Sequence, residues 1–561
     1  MEPLLHDTRG TASVATAVAL IIASYSMWWR WSEAARARNF VRGSGGDGTR
    51  LPSPMAALPR WCGFFGGHIL LMKPRKTVQQ LEGWAEEFGG DYELHLLGKR
   101  VVCVTGIADI RRILTLRPSK FKRGLMKDLN QGAASCVGMN GSMFFLEGKE
   151  WGRSRRLVSP NLSGHNVAGL LALVAKIGER FCDRLGEMAD KGEAVPAMDT
   201  FARFTHDVIA MAAFGVDVGS VTITAENPCQ SYDAIWALTA AFGRLTREPL
   251  DMLGWKLWPM LLPWVKHTKE HARSLEKVIQ GAIEKVRREN GESGLADKEQ
   301  ANDAGGHLLR KIVGPSNGNQ SSSSSSSERN KRLSDREIIS EATTLFVAGT
   351  ETTTPSLCWA MYYLDKHPEV VARCRAEALR VAPLSNGMVS TREQMSQLEY
   401  CSAVFKETLR LQTPAPLVPL YCTEDFTFEN GFVVKGGSGL FVMTRTAARS
   451  EEFFTKGKDF VPERWIAAER EEALLGKGGA VDGNGASVVH EAEAAMSFGH
   501  GPRICPGQDM ANAEGAMIIA AICARFDFSI APGQADPPEE IEAFAVGLEE
   551  FNMVFTRRYA A

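Results

Sequence analysis

The 561-residue chain has no Cys-x-x-Cys pair and no cysteine–histidine run with zinc-like spacing, so a zinc site has no support. No basic tract is interleaved with aromatics and the formal net charge is only −2, which removes the electrostatic footprint of a nucleic-acid binder. No internal repeat is present. No Gly-x-Gly-x-x-Gly follows a strand-like run, and the stretch after Cys505 is short, so a fused flavin or nicotinamide domain has nowhere to sit. Any electrons the chain uses are expected to come from another protein. The eleven cysteines, an odd number and scattered, read as reduced and mostly buried.

What is present is an ordinary globular composition, 44% hydrophobic and 23% charged, with material for a large core. One run stands apart. Thr11 to Trp29 carries no charge and is long enough to span a bilayer. Tyr25, Trp28, Trp29 and Trp31 suit an interfacial aromatic belt, and Arg30, Arg36, Arg38 and Arg42 follow against Arg9 alone before it. The positive-inside rule then puts the body of the protein in the cytosol. The competing reading, a cleaved signal peptide, needs a basic n-region, and this one carries Glu2 and Asp7.

Residues 1–50 therefore read as a membrane anchor and flexible hinge, continued by a proline-rich stretch (Leu51-Pro52-Ser53-Pro54, Leu58-Pro59), and residues 51–561 as one catalytic domain. Alternation over Tyr92–Thr105 around Leu97-Gly98 predicts a hairpin, and from Ile107 the period is mainly helical. Ser334-Asp335 with Glu337 forms a capping-box signature for a long helix to Leu364. A polar insertion, about 288–332, contains seven serines (Ser321–Ser327) and reads as disordered, most simply a tolerated surface loop. Leu474–Val489 is rich in glycine and also reads as a loop.

The decisive stretch is Phe498-Gly499-His500-Gly501-Pro502-Arg503-Ile504-Cys505-Pro506-Gly507. It sets one cysteine in a glycine-rich loop at the start of an apolar helical run, Met510 to Phe526. The glycines let backbone amides approach the sulfur, and those amides with the helix N-terminus favour an anionic thiolate, lowering the thiol pKa. Arg503 is suited to neutralise an acidic group of a bound haem, and Phe498 to keep water from the sulfur. Upstream, Ala348-Gly349-Thr350-Glu351-Thr352-Thr353 lies in the long helix. There a carboxylate beside hydroxyls suits a proton relay. The Thr352 hydroxyl can bond back into the helix, Pro355 removes a backbone bond from the same turn, and Gly349 leaves room for a flat group.

The loop resembles the haem-ligand signature of the cytochrome P-450 monooxygenases, Phe-x-x-Gly-x-Arg-x-Cys-x-Gly, with every defining position filled. The resemblance extends to the oxygen-activation motif, with Glu351 and Thr352 as its acid and alcohol. Glu407-x-x-Arg410 with Arg464 as third partner matches a structural triad, and Trp151-x-x-x-Arg155 a pair that donates to a haem propionate. It implies a mainly α fold with small β-sheets and an N-terminal transmembrane helix. It also implies haem b ligated by Cys505, and use of O2 with NADPH electrons from a separate reductase, with a b-type cytochrome as a further donor. The expected catalytic residues are Thr352 and Glu351. The expected cofactor-binding residues are Cys505, Arg503, Trp151, Arg155 and Phe498.

One position departs from that pattern: Leu420 stands where many members carry a propionate-binding arginine. Gly132–Phe145, Ala415–Val418 and Phe544–Leu548 are expected to line an apolar substrate site. Gly254–Trp264 is either buried core or a lid that dips into the membrane. The implied reaction is monooxygenation of a lipophilic small molecule, fatty acid- or sterol-like, at the endoplasmic reticulum membrane. The rival readings are a hydroperoxide-rearranging relative and a non-catalytic haem sensor or electron carrier.

Overall fold

A computed structural model describes residues 51–54, 76–124, 134–222, 229–247, 263–292, 308–313, 333–470 and 495–558, except residues 97, 98, 136 and 386. The expected transmembrane helix, the Ser321–Ser327 run, the Leu474–Val489 loop and most of Gly254–Trp264 lie outside the described residues. Among those described, no helix is long and apolar enough to cross a membrane.

The described chain is mainly helical, with small sheets. In order run α1 (Thr77–Phe88), β1 (Tyr92–Leu96), β2 (Lys99–Val104), α2 (Ile107–Thr115) and β3 (Phe121–Arg123). Then come α3 (Gly148–Val158), α4 (Leu171–Asp190), α5 (Ala197–Phe214), α6 (Gln230–Arg247) and α7 (Pro263–Glu292). The C-terminal half holds α8 (Asp335–Lys366), α9 (Pro368–Val381), α10 (Glu399–Leu411), β4 (Val418–Cys422), β5 (Gly439–Val442) and α11 (Gln508–Arg525). The largest sheet has the order β1-β2-β5-β4-β3. The expected hairpin is β1–β2, in register from Tyr92 opposite Cys103 to Leu96 opposite Lys99.

The long helix α8 begins as its sequence requires. Ser334 accepts from Glu337 N while the Glu337 carboxylate accepts from Ser334 N, so two N–H groups at the helix start are satisfied reciprocally. At 32 residues the helix is about 48 Å long and crosses the whole core. Its middle packs on α5 and α10, and the main hydrophobic cluster joins these to α4, α9 and α11. Gly349 is where α8 and α5 come closest. A Cβ there would lie 2.9 Å from Ile209, so helix packing demands a glycine at a position that also lines the cavity described below.

Part of the polar stretch 288–332 is structured, contrary to expectation. Helix α7 continues to Glu292, and Leu308–Ile312 forms a short helix with Leu308 and Leu309 buried against the second hydrophobic cluster. The Leu-Leu-x-x-Ile pattern supplies an apolar face that the composition of the surrounding segment obscures. Of the nine cysteines described, eight are buried as expected, and Cys505 alone is open.

Candidate active site

The Cys505 loop is shaped by its glycines at two points. Gly499 and Gly501 have φ of 76° and 72°, and a Cβ on Gly501 would meet Leu114 O at 2.6 Å. Cys505 N donates to Phe498 O (2.9 Å) and closes the loop just before α11 begins at Gln508. Cys505 is accessible and opens into a cavity. Burial pushes the Cys505 thiol above its ordinary value, while the Gly507 N–H and the Arg155 charge pull it down. The expected net lowering is thus absent, since desolvation outweighs the two favourable groups.

That cavity, about 570 Å³, is bounded by α8 on one side and by Cys505, Gly507 and α11 on the other. It collects most of the expected site residues: Thr352, Trp151, Arg155, Phe498, Arg503 and Cys505 all line it. Ala415–Val418, Met143–Phe145, Phe544 and Ala545 do so as well, in agreement with the expected substrate-lining segments. Phe144, Phe145, Phe242 and Phe544 form an aromatic group with ring centroids 4.9–6.0 Å apart.

Thr352 donates its hydroxyl to Ala348 O (2.7 Å), the back-bond expected beside the turn that Pro355 loosens. Glu351 does not join it. Successive helix residues point about 100° apart, and Glu351 lines a second cavity, about 360 Å³, with Tyr232, Asp199, Thr354, Pro355 and Glu550. The acid and the alcohol of the motif therefore line different cavities.

The triad is fully assembled and lies away from both cavities. Glu407, Arg410 and Arg464 are each 0% exposed. Glu407 takes two bonds from Arg410 (2.8 and 2.9 Å), one from Val461 N (3.0 Å) and one from Trp465 Nε1 (2.9 Å), with Arg464 Nε at 3.4 Å. Arg410 also donates to the carbonyls of Ala448, Gly457 and Asp459. The three charges tie α10 to the segment that precedes the cysteine loop.

Two cavity residues escaped sequence reasoning. Arg117 and Arg123 line the cavity, and Arg117 Nε and Nη2 and Arg123 Nε are buried without a hydrogen-bond partner among the described residues. Burial, then mutual repulsion with Arg503, holds Arg117 down at about 10 and Arg123 well below the ordinary arginine value. Glu147 is the carboxylate in the group. It lies 2.7 Å from Arg503 Nη2 and accepts from Arg123 N at 3.0 Å. Arg503 also donates to Met143 O and Leu146 O and stacks over Trp151 at 4.4 Å. Three guanidiniums against one carboxylate leave two buried positive charges at the cavity wall, a cost that only a further anion removes. The sequence signal was faint: a run of cations from Arg111 to Arg123 on no regular spacing.

The family model described as Cytochrome P450 matches residues 57–555. The chain belongs to the cytochrome P450 family. It is 25% identical to the protein Lutein deficient 5, chloroplastic, of Arabidopsis thaliana over 80% of this chain and 68% of that one. It is 25% identical to cytochrome P450 3A12 of Canis lupus familiaris over 73% and 75%. Carotene epsilon-monooxygenase, chloroplastic, of Arabidopsis thaliana is 24% identical over 87% and 82%.

Family membership makes the chain a haem-thiolate P450 monooxygenase. The residues present fit that cofactor. Cys505 opens into the cavity, and the excess of guanidiniums on its wall suits the anionic propionates of haem.

Proposed function

We propose that this P450 inserts one oxygen atom of O2 into a C–H bond or double bond of a lipophilic small molecule. The observation that carries the proposal is the cavity bounded by Cys505 and Thr352 on facing elements and walled by Phe144, Phe145, Phe242 and Phe544. Haem bound there would supply the dioxygen chemistry, its thiolate ligand pushing electron density toward O–O cleavage.

The chain's own groups divide the remaining work. Cys505 is the ligand, oriented by its N–H bond to Phe498 O. Arg117, Arg123, Arg155 and Arg503 would hold the propionates, with Trp151 stacked under Arg503. Thr352 hands a proton to the distal side of the cavity. Glu351 resupplies it from the second cavity, which reaches solvent past the half-exposed Asp199 and the exposed Ile541. Electrons come from a separate NADPH-dependent reductase, and the residues 1–50 segment anchors the 51–561 domain on the cytosolic face of the endoplasmic reticulum membrane.

The test is an optical one. The reduced, CO-bound protein is expected to give a thiolate-type spectrum, and Cys505→Ala to lose it. A lipid that displaces water from the ferric iron is expected to shift the spin state from low to high. A wild-type CO spectrum without thiolate character would overturn the ligand assignment.

A further inference from the structure

Helix α8 shows the cavity one continuous face: Glu341, Leu345, Ala348 and Thr352, spaced four, three and four residues apart. Glu341 is out of place on it. The residue is 1% exposed, its Oε1 accepts from Met143 N at 2.6 Å and from the Ser154 hydroxyl, and its Oε2 is buried with no partner among the described residues. The two bonds to Oε1 pin α3 and the segment before it to α8, which accounts for one oxygen. They do not account for the other. A buried acceptor left without a partner costs about 1–3 kcal/mol, and a leucine would have suited an apolar wall.

Two hydroxyls along this face are engaged. Thr344 donates to Ser340 O (2.9 Å) and Thr352 to Ala348 O (2.7 Å). The arginines sit at the cofactor wall, and Glu514, also buried, lies on α11 on the Cys505 side. In the part of the cavity walled by the phenylalanines, Arg123 lies over Phe144 at 3.8 Å and can only donate, whereas Glu341 can accept from a ligand hydroxyl.

We propose that Glu341 Oε2 binds the hydroxyl group of a lipophilic alcohol and thereby sets which carbon of that substrate is oxidised. The inference rests on the monooxygenase reading above and adds the substrate's polar end. Seven residues separate Glu341 from Ala348 and eleven separate it from Thr352, about 10 and 16 Å along the helix. The oxidised carbon then lies roughly 10–16 Å from the hydroxyl, the span of a sterol ring system or of a medium-length chain. A hydroxyl also matches the anchor's chemistry. Burial pushes the Glu341 carboxyl up to about 7, so both protonation states are populated near neutrality. A hydroxyl donates and accepts, and so satisfies Oε2 in either state. A ketone suits only the protonated form, and an ammonium group only the ionised one.

The experiment is an optical titration of the ferric, haem-loaded full chain at about pH 8 with two matched pairs, dodecanol against dodecanone and cholestanol against cholestanone. For at least one pair the alcohol is expected to bind about tenfold more tightly than the ketone. In Glu341→Gln the amide oxygen keeps the bonds from Met143 and Ser154 while the NH2 faces the cavity, and the alcohol-to-ketone ratio should fall severalfold. Ser154→Ala removes a pinning bond and leaves Oε2 in place, so it should keep the wild-type ratio. Equal affinity for alcohol and ketone in the wild type, an unchanged ratio in Glu341→Gln, or an equal loss in Ser154→Ala would each overturn the assignment. If no lipid of either pair moves the spin state although the CO spectrum is of thiolate type, the lipophilic-substrate reading itself fails.

Discussion

Arg123 on β3 lies directly across the antiparallel ladder from Leu420 on β4. The position at which the resemblance led to an arginine is thus paired with a strand that carries one. Leu420 itself is fully buried among the apolar residues of the sheet, where it packs instead of pairing.

Arg123→Leu is expected to act in opposite directions on the two forms of the protein. Without haem, the variant should be more stable by about 1–3 kcal/mol, because an uncompensated buried cation is gone. With haem, it should lose cofactor faster on transfer to apomyoglobin. A variant that destabilises both forms equally would show that Arg123 acts as a packing residue.

Glu407→Ala should prevent accumulation of folded protein. Its carboxylate is the common partner of Arg410 and Arg464, and removing it leaves buried cations, at a cost of about 3–5 kcal/mol. Circular dichroism and haem content of the purified variant are the readouts. Folded protein with a normal haem load and low turnover would instead place Glu407 in the chemistry.

Thr352→Ala and Glu351→Gln should fail differently, since they face different cavities. Losing a proton donor costs about two orders of magnitude in the step it serves. Thr352→Ala is expected to keep consuming NADPH while releasing peroxide, so product per NADPH falls. Glu351→Gln is expected to slow turnover and raise its solvent isotope effect, because the alcohol is still present and only its resupply is impaired. Unchanged coupling in the first variant would reject the role of Thr352.

Gly349→Ala should destabilise the fold by about 1–3 kcal/mol through its contact with Ile209. Ile209→Ala in the same chain, which removes the Cγ1 and Cδ1 atoms in the way, should recover part of that loss in a thermal melt. No recovery would mean that the glycine is needed for something other than the α5–α8 crossing.

Glu341 gives a pH dependence of defined sign. Its folded value, about 7, is raised above the ordinary 4.5, so the folded state holds the proton longer than the unfolded one. The stabilisation is complete below about 4.5 and is lost as pH rises through about 7. At about 1.4 kcal/mol per pKa unit this amounts to roughly 3 kcal/mol. The cause is burial, opposed by the bonds from Ser154 and Met143 N. The difference in melting temperature between wild type and Glu341→Gln should therefore change between pH 5 and pH 8, in favour of the variant at the higher pH. A constant difference would mean that Glu341 ionises with its ordinary value.

What could be read from the sequence were features that one segment decides for itself. The capping box at Ser334, the hairpin of β1 and β2, the back-bond at Thr352 and the cysteine loop each depend on residues within a few positions of one another. The triad was also legible, because Glu407 and Arg410 share a helix turn and Arg464 stands in a recognisable run. Juxtapositions across the fold were not. Nothing within reach of Arg123 in the chain names Leu420, and only the strand pairing does. Glu351 and Thr352 are neighbours in sequence, yet the rotation of one helical residue sends them to different cavities. Glu341 reads as an unremarkable helix residue until Met143 and Ser154 are seen to occupy one oxygen and leave the other.

The division of α8 between two cavities also separates two kinds of traffic. On the proposed reading, substrate would occupy one cavity beside the helix and protons would travel through the other, the two meeting at Thr352. A bulky guest can then expel every water molecule from its own chamber without starving the reaction of protons. Tightness of fit and supply of acid are free to be tuned by different residues, so pocket variants selected for new lipids need not become leaky.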